Sequence, residues 1–470
     1  MPSIRTLAIA ASFLVTLVAC QRAEESTPAF SVAALPEGIT LVEVIDKRPG
    51  DGLVIPYKKY ALDNGLTVIL HEDQSDPLVH VDVTYHVGSA REEVGKSGFA
   101  HFFEHMMFRG SENFTRDERE KIVTAMGADT NAFTSDDLTG YYMNIAAEDL
   151  ERVIELESDR FLRLQYEESG FKTEAGAVYG EYRKNRMSPF FTLYEAVHQE
   201  AYDVHTYGHT AMGYEPDIKA MPEMYDYSRS FFSRYYRPEN VVLLIVGDID
   251  VARTEKLVDK YYASWKRGYA QPTIPVEPEQ TAEKRLDVPY QGQTLPILWI
   301  SYKVDAFDPA NVDLVGAELL CALAFGETSE FHKKMVLDEQ VIEFVSADVN
   351  RNRDPGLLDI VTRVKDPAKV EYVLNEIDAT LAHYKETPPD AQRLNDLKSR
   401  LKYDFLMGLD TPMNVARALV RPIAVTGGVE AIDVLYRTYG TMTPKEVQNA
   451  ARKYMLPQRR TVAILRGGES

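Results

Sequence analysis

The stretch GFAHFFEHMMFRG, residues 98–110, places two histidines and a glutamate in an otherwise apolar segment. His101 and His105 are four residues apart, and Glu104 stands directly before the second histidine. Each residue of a helix advances by about 100°, so side chains four apart lie on one face. Two imidazoles held in this way form a clamp for zinc, which favours nitrogen ligands in tetrahedral sites. The alternative is a pair of ordinary histidines with satisfied hydrogen bonds on an amphipathic helix.

A zinc site of the catalytic kind needs a third protein ligand and one open position. Phenylalanine and methionine side chains surround the two histidines, and ionisable groups in such a setting are costly unless they are partnered. Downstream, residues 171–186 (FKTEAGAVYGEYRKNR) have a helical pattern, with Glu174 and Glu181 seven apart on one face. A carboxylate from this second helix is the candidate third donor.

The elements around these helices mix strands and helices without a strict βαβ alternation. Runs rich in Val, Thr and Tyr predict one strand each in residues 58–73 and 77–88, and residues 131–146 predict a further strand or hairpin. Helical patterns cover residues 97–109, 115–126, 147–165 and 172–187. The fold class is therefore expected to be α+β.

Length and repetition predict two domains, since 470 residues exceed one ordinary core. A proline- and charge-rich stretch, residues 271–285, is typical of a linker. One order of helix end, proline turn and apolar strand occurs twice, in RYYRPENVVLLIVG before this stretch and in KYMLPQRRTVAIL at the end of the chain. Tyr235 and Tyr454 are 219 residues apart, and so are Pro238 and Pro457. We expect a zinc-binding domain over residues 53–270 and a second, homologous but inactive domain over residues 286–470.

The N-terminus predicts secretion and a lipid anchor. Arg5 precedes an apolar run that is short for a membrane span, so residues 1–19 are interpreted as a signal peptide. LVAC at its end resembles a bacterial lipobox, which makes Cys20 the acylated first residue of the mature protein and residues 20–52 a tether. Gln21 favours the outer membrane of a Gram-negative bacterium, with the protein in the periplasm. The alternative is an ordinary signal peptide with an incidental cysteine.

The charge balance limits the class of partner. The chain carries 72 acidic and 52 basic residues, a formal charge of -20, which argues against a nucleic-acid partner because phosphate binding needs a basic surface. Membrane contact is expected only through the lipid at Cys20. After cleavage of the signal peptide Cys321 is the only other cysteine, in an apolar setting typical of an inert core thiol.

Taken together, these motifs resemble the inverted-motif zinc peptidases of the pitrilysin/insulysin family, and especially its half-length bacterial members, which are similar to the processing peptidases. HFFEH is followed by a glutamate 76 residues after the second histidine. The resemblance extends over most of the chain and includes the segments YALDNGLTVIL, HVGSARE, NAFTSDDLTGYY, LESDRFLRL, TEAGAVYGE and YYRPENVVLLIVGDI. The resemblance implies two α/β-sandwich domains, each a mostly antiparallel sheet with helices, which together form half of a clamshell chamber.

The resemblance also implies roles for individual residues. His101, His105 and Glu181 would bind one zinc ion, and Glu104 would be the base that takes a proton from the attacking water. Glu174 would support the site from the shell around it, the alternative being a solvated surface glutamate. Asn131, Ala132, Phe133 and Thr134 match the edge strand to which family substrates add as an extra strand, the alternative being a plain buried strand.

Two positions depart from the family pattern. Family members or their partners supply an arginine and a tyrosine, seven residues apart, near the oxyanion, and these positions fall here on Leu337 and Phe344, which cannot donate a hydrogen bond. We therefore expect a homologous sister subunit to supply the pair. A second histidine pair, His205 and His209, has a glycine between its members and no acid beside it, and is left out of the site.

The sequence thus predicts a periplasmic zinc endopeptidase that hydrolyses oligopeptides or unfolded segments, as the catalytic subunit of a heterodimer. The alternative from another class is a non-catalytic, zinc-containing assembly or peptide-binding subunit, which the missing arginine and tyrosine would favour.

Overall fold

A seven-stranded sheet organises the first half of the chain. The computed structural model describes residues 35–47 and 54–468. The expected signal peptide and the lipidation site Cys20 lie outside the described residues. The strands are β1 (Ile39–Ile45), β2 (Tyr57–Leu62), β3 (Thr67–Glu72), β4 (Leu78–Tyr85), β5 (Asp129–Thr134), β6 (Thr139–Ala146) and β7 (Val241–Gly247). Their order is β1-β2-β3-β7-β4-β6-β5, and every pair is antiparallel except β3 with β7.

Two segments of this sheet differ from expectation. Residues 58–73, expected as one strand, form the hairpin of β2 and β3, because Asp63-Asn64-Gly65 makes a turn in which Gly65 has φ of +92°. Residues 39–45, expected within the tether, form β1 and pair with β2. The β-branched residues of ITLVEVI favour a strand, and the polar composition around it hid the signal.

A five-stranded sheet in the second half repeats the same plan. Its strands are β8 (Lys284–Tyr290), β9 (Ile297–Lys303), β10 (Ile342–Val349), β11 (Leu357–Val364) and β12 (Arg460–Gly467). Their order, β10-β11-β9-β12-β8, reproduces β5-β6-β4-β7-β3, and β12 with β8 is again the parallel pair. The α+β class, with two mixed sheets packed with helices, is therefore confirmed.

Fifteen helices are described between and around the strands. They are α1 (Phe99–Met106), α2 (Arg116–Ala125), α3 (Leu150–Leu162), α4 (Glu168–Asn185), α5 (Pro189–Ala201), α6 (Glu215–Ala220), α7 (Tyr225–Tyr235), α8 (Val251–Tyr262), α9 (Val312–Phe325), α10 (Glu330–His332), α11 (Val370–Glu386), α12 (Ala391–Met407), α13 (Pro412–Thr426), α14 (Ala431–Thr441) and α15 (Pro444–Tyr454). Within the described part of the chain, none combines the length and apolar character that crossing a membrane requires.

The offset pairs noticed in the sequence occupy matching places. Tyr235 and Tyr454 are buried last residues of α7 and α15, and Pro238 and Pro457 each begin a 3-10 turn that leads into β7 and β12. The helix after β4 is α1, with the HxxEH motif, and the helix after β9 is α9, which contains no histidine. The two halves share one plan, and the HxxEH motif occurs in the first.

Each sheet packs against a helix from the other half of the chain. Helix α13 lays Val415, Leu419 and Ile423 against the first sheet, where they join Ile69 and Leu244 in one buried cluster. Helix α5 lays Leu193 and Val197 against Val288, Ile297 and Leu465 of the second sheet. This exchange buries an apolar face of both sheets, and the described residues from Pro36 onward form one compact unit.

The expected linker, residues 271–285, lacks regular structure until β8 begins at Lys284. It is nevertheless held in place: the Glu277 carboxylate accepts hydrogen bonds from the backbone N–H groups of Asp203, Val204 and His205, at 2.9–3.1 Å. Lys303 Nζ on β9 lies 3.1 Å from Glu277 Oε1. The connection therefore adds contacts between the halves.

Candidate metal centre

Helix α1 presents both histidines of the HxxEH motif, His101 from a buried position and His105 from a half-buried one. Its Phe99, Phe102 and Phe103 side chains are fully buried and fix the helix against the core. The rings of His101 and His105 lie side by side, with centroids 4.8 Å apart. The apolar residues around the motif thus hold the helix so that its remaining face carries the polar groups.

The third donor arrives from α4. Glu181 Oε2 lies 3.3 Å from His105 Nε2 and 3.9 Å from His101 Nε2. One ligand atom from each of the three residues lies within 4.8 Å of the others, and this is the only such group of His, Cys, Asp or Glu found in the described residues. The structure therefore brings together the two histidines and the glutamate that the sequence placed 76 positions downstream.

The donor set fits zinc. Bonds of about 2.1 Å in a tetrahedron place ligand atoms about 3.4 Å apart, close to the separations seen here. His101 is only 9% exposed, and its Nδ1 has no hydrogen-bond partner among the described residues. Two nitrogens and one carboxylate leave one coordination position open, as catalytic zinc sites require.

The protonation states of the two histidines differ. Burial, with the neighbouring His105 as a smaller cause, lowers the pKa of His101 to about 4, so its ring is neutral near pH 7. Hydrogen bonds to Glu174 and Glu181 raise the pKa of His105 to about 9. The hydrogen bond from His105 also holds the pKa of Glu181 below its ordinary value, which keeps this ligand ionised. A metal at this position would compete with a proton for His105.

Glu104 lies beside the metal ligands and contacts the edge strand. Its Oε2 accepts a 2.6 Å hydrogen bond from Thr134 Oγ1 at the end of β5. Burial raises the pKa of Glu104, while the Thr134 hydrogen bond acts in the opposite direction. A carboxylate with a raised pKa is suited to accept a proton and give it back near neutral pH.

Glu174 orients His105 from the second helix. It is 6% exposed, which excludes a solvated surface glutamate, and its Oε1 lies 2.9 Å from His105 Nδ1. Its Oε2 accepts hydrogen bonds from Arg109. Burial alone would raise the pKa of Glu174, but these hydrogen bonds outweigh it and lower the pKa. With Nδ1 so engaged, His105 presents Nε2 to Glu181 and to a metal.

Sequence reasoning missed two residues of this arrangement. Arg109 follows His105 by four positions, and this same-face spacing was the available signal. Glu92, inside the HVGSARE motif, is buried and accepts hydrogen bonds from the backbone N–H groups of Gly98 (2.7 Å) and Ala100 (2.6 Å). Its carboxylate satisfies free donors at the start of α1 and fixes where the helix with the HxxEH motif begins.

The predicted substrate strand is the outer edge of the first sheet. Among the strands of the described residues, β5 pairs with β6 alone, and its residues alternate between exposed and half-buried, so it is not a plain buried strand. Asn131 and Phe133 are exposed, whereas Ala132 and Thr134 are half-buried. The outer edge of β5 lies next to Glu104 and is open to an extended peptide, although the Ala132 N–H now donates to Asn131 Oδ1 at 2.9 Å.

The remaining sequence candidates lie apart from the metal ligands. His205 Nε2 faces Asp354 at 3.5 Å, and His209 Nε2 lies 3.9 Å from Glu92. Leu337 is 57% exposed, and the Phe344 ring on β10 lies 6.0 Å from that of Phe190. The second histidine pair thus makes local contacts, and neither Leu337 nor Phe344 carries a hydrogen-bond donor on its side chain.

Two family models match the chain. The model described as insulinase (peptidase family M16) matches residues 67–215, which include α1 and α4, and the model of the peptidase M16 inactive domain matches residues 224–401. The first match contains the HxxEH motif, and the second begins at residue 224, before β7 of the first sheet, and extends into the second half of the chain.

Named proteins and solved structures agree with these matches. The zinc protease PqqE of Helicobacter pylori is 27% identical over 419 residues, which are 87% of this chain and 93% of that protein. The crystal structure of a protease from Helicobacter pylori superposes with a TM-score of 0.83 at 27% identity, covering 88% of this chain and 100% of that one. The structure of the periplasmic protease PqqL from Escherichia coli, 18% identical with a TM-score of 0.74, shares the fold over 91% of this chain and 48% of its own.

The order of strands, the grouped His101, His105 and Glu181, and the two matched models have one explanation. The chain belongs to the M16 (insulinase/pitrilysin) peptidase family, as a zinc metalloprotease homologue similar to the half-length bacterial members.

Proposed function

We propose that this chain is a zinc-dependent endopeptidase that hydrolyses oligopeptides or unfolded peptide segments. The observation that carries the proposal is the grouping of His101, His105 and Glu181 within 4.8 Å, next to Glu104 and the free edge of β5. A metal site, a proton acceptor and a surface for an extended peptide thus adjoin one another, which is the set of parts that peptide hydrolysis needs.

The residues of the site divide the work. Zinc held by His101, His105 and Glu181 would polarise the scissile carbonyl and lower the pKa of water to about 7. The Glu104 carboxylate takes a proton from the attacking water and passes it to the leaving amine. Glu174 orients His105 by accepting its Nδ1 hydrogen, and Arg109 holds Glu174 in place.

Substrate binding is assigned to β5, residues 131–134. An extended peptide that adds to this strand takes its hydrogen bonds from the backbone, which favours conformation over side-chain identity. Thr134 joins the two parts of the site, because its backbone belongs to the strand and its hydroxyl contacts Glu104. Folded proteins present few such extended segments, so unfolded peptides are the preferred class.

Metal content and cleavage must be measured together. Glu104→Gln is expected to bind one zinc per chain by elemental analysis and to lose about 10²–10⁴-fold in kcat on an unfolded peptide. Glu181→Gln is expected to lose zinc. Glu148→Gln, which alters an exposed glutamate in the same half, is the control and should change neither the zinc content nor kcat. Zinc-free wild-type protein, or a Glu104→Gln variant with wild-type rate, would contradict the proposal.

We further propose that the working enzyme contains a homologous sister subunit. The second domain, residues 286–470, places no histidine in α9, and Leu337 and Phe344 offer no donor to an oxyanion. The shared fold covers 48% of the Escherichia coli PqqL chain, so a chain of this length supplies about one of two halves of a chamber. The partner would contribute the arginine and tyrosine.

The subunit proposal is tested by expressing the chain alone and with the product of a neighbouring gene of similar length. We expect co-purification and at least about a 10²-fold gain in kcat, the contribution of one oxyanion donor. Full activity of the isolated chain, unchanged by the neighbour, rules the partner out.

The proposed location is the periplasm, with a lipid at Cys20 and residues 20–52 leading to the peptidase domain. The supporting observation is the LVAC lipobox at residues 17–20. Labelling with a fatty acid, followed by separation of inner and outer membranes, is expected to place the label in the outer membrane for wild type and to lose it in Cys20→Ala. Label that persists in Cys20→Ala would exclude this anchor.

A non-catalytic assembly or peptide-binding subunit remains the second candidate function, and the donors missing at Leu337 and Phe344 favour it. It predicts zinc and peptide binding with no cleavage that depends on Glu104, even with the partner present. The same Glu104→Gln comparison therefore separates the two functions.

A further inference from the structure

A basic cavity lies beside the C-terminal end of α1. Its volume is about 950 Å³, and its lining carries four arginines, Arg109, Arg116, Arg229 and Arg237, against one carboxylate, Glu167. The chain as a whole has a formal charge of -20, so the local charge is opposite to the average. A concentration of guanidinium groups in a concave surface attracts anions.

These arginines are not all neutralised by the protein. Arg109 is paired with Glu174, and Arg116 Nε lies 2.8 Å from Glu120 in an exposed pair, which is weak in water. Arg237 donates to the backbone and hydroxyl of Ser233, neither of which is charged. Among the described residues, Arg229 and Arg237 have no carboxylate within 4.0 Å. The cavity therefore holds positive charge that an anionic ligand would satisfy.

The basic cavity adjoins the candidate metal centre. A smaller cavity of about 300 Å³ is lined by Glu104 and His105 of the site and by Asn131 of the edge strand, and Arg109 and Arg116 line both cavities. A peptide held at Glu104 thus has a direct route to the arginines.

The direction of the substrate strand decides which part of a peptide reaches the basic cavity. Strand β5 runs from Asp129 to Thr134, and Thr134 contacts Glu104 at the reacting end. A peptide that pairs antiparallel with β5, the commoner sense, runs from Thr134 towards Asn131. Its residues on the C-terminal side of the scissile bond then point towards the shared arginines.

We propose that the basic cavity binds a substrate carboxylate located a few residues C-terminal to the scissile bond. The proposal rests on the peptidase function proposed above and adds a charge preference to it. The carboxylate is either an Asp or Glu side chain or the C-terminal carboxylate of a short peptide, since both present the same planar anion to a guanidinium group. Arg116 and Arg229 are the specificity-determining residues, because Arg109 already serves Glu174 and Arg237 holds the chain at Ser233.

The test compares matched peptides on the zinc-loaded protein with its partner. One pair differs by Asp or Asn at the second and third positions after the cleaved bond, and another differs by a free or amidated C-terminus at the same distance. Wild type is expected to favour the carboxylate about fivefold in kcat/KM for each ion pair gained, and 0.5 M salt is expected to reduce this preference. A preference in the first pair identifies the side-chain source, and a preference in the second identifies the terminal one.

The double variant Arg116→Gln/Arg229→Gln is expected to bring the carboxylate-to-amide ratio to about one while it still cleaves the uncharged peptides. Arg400→Gln, which alters an exposed arginine on α12, is the matched control and should keep the wild-type ratio. Equal rates for both members of each pair in wild type, or an unchanged ratio in the double variant, would overturn the inference while leaving the peptidase function intact.

Fluorescence anisotropy of the same labelled peptides on Glu104→Gln protein separates this inference from the function on which it rests. If no peptide is cleaved, the peptidase proposal fails. Tighter binding of the carboxylate peptides, lost in an Arg116→Gln/Arg229→Gln background, would still support the basic cavity, and equal binding would overturn it.

Discussion

At the scale of single residues, the site depends on how each ligand is held as much as on the ligand itself. Glu174 is buried between His105 and Arg109, so it fixes one ring nitrogen and leaves the other facing Glu181 and the proposed metal position. Residues of this kind typically change metal affinity when they are altered, even though they do not touch the metal.

Replacing Glu174 should therefore weaken zinc binding. Glu174→Gln is expected to lower zinc affinity about 10–100-fold, because the amide accepts a weaker hydrogen bond from His105 and leaves Arg109 without its anion. Competition with a fluorescent chelator measures the change. Glu168→Gln, at an exposed position on the same helix, is the control, and equal affinities for the two variants would show that Glu174 does not position His105.

Thr134 should set the acid limb of the pH–rate profile. Its hydroxyl donates to Glu104 and favours the ionised form, so Thr134→Val raises the pKa of Glu104 further. The base is then protonated up to a higher pH, and the acid limb of kcat/KM moves to higher pH. Thr134→Ser keeps the hydroxyl donor and should leave the acid limb near its wild-type position. If the pH–rate profile of Thr134→Val matches that of wild type, Thr134 does not tune the pKa of Glu104.

At the scale of elements, the segment between the halves has a defined structural role. Glu277 lies in an irregular segment yet accepts three backbone hydrogen bonds from residues 203–205 and pairs with Lys303. Burial by itself would raise the pKa of Glu277, but these hydrogen bonds and Lys303 lower it to about 2. The segment thus acts as a clamp as well as a connection.

Glu277 should contribute an acid-sensitive part of the stability. Because the folded pKa is about 2 and the ordinary value is 4.5, its contribution is complete above about pH 4.5 and is lost as the pH falls towards 2. Urea unfolding should give Glu277→Gln a lower free energy of unfolding than wild type at pH 6, and this difference should shrink below pH 4.5. Glu279→Gln, two residues away and exposed, should follow wild type throughout.

At the scale of the whole molecule, the exchanged helices make the two halves depend on each other. Truncation at the expected linker would leave the first sheet without α13 and the second without α5, exposing apolar faces that are buried here. Burial across the halves couples their unfolding, in spite of the repeated plan of two sheets.

The two tryptophans allow this coupling to be measured, since Trp265 lies in the first half and Trp299 in the second. The Trp299→Phe variant keeps Trp265, so its fluorescence reports on the first half, and the Trp265→Phe variant reports on the second. The urea unfolding curves of the two variants are expected to coincide. Leu419→Ala on α13 should lower the free energy of unfolding measured with either tryptophan by about 2–5 kcal/mol, the usual effect of truncating a buried leucine. Two separate transitions, or a shift in one alone, would show that the halves unfold independently.

The sequence by itself determined the parts of the site that depend on local geometry. The spacing of His101 and His105 defines one helix face, and β-branched runs and turn residues identified the regions of β2 to β7 and of β12, because helical and strand periodicities are properties of short segments. The same locality explains the errors: the turn at Asp63-Asn64-Gly65 and the short strand β1 are weak signals in polar surroundings.

The tertiary structure alone decided how distant segments meet. The resemblance to a family implied Glu181 as a ligand, but only the packing of α4 on α1 places its carboxylate 3.3 Å from His105, and only the sheet edge places Thr134 against Glu104. Net charge likewise gave no indication of the basic cavity, because a total does not say where charges lie. Long-range contacts depend on which faces are buried together, and that is a property of the whole fold.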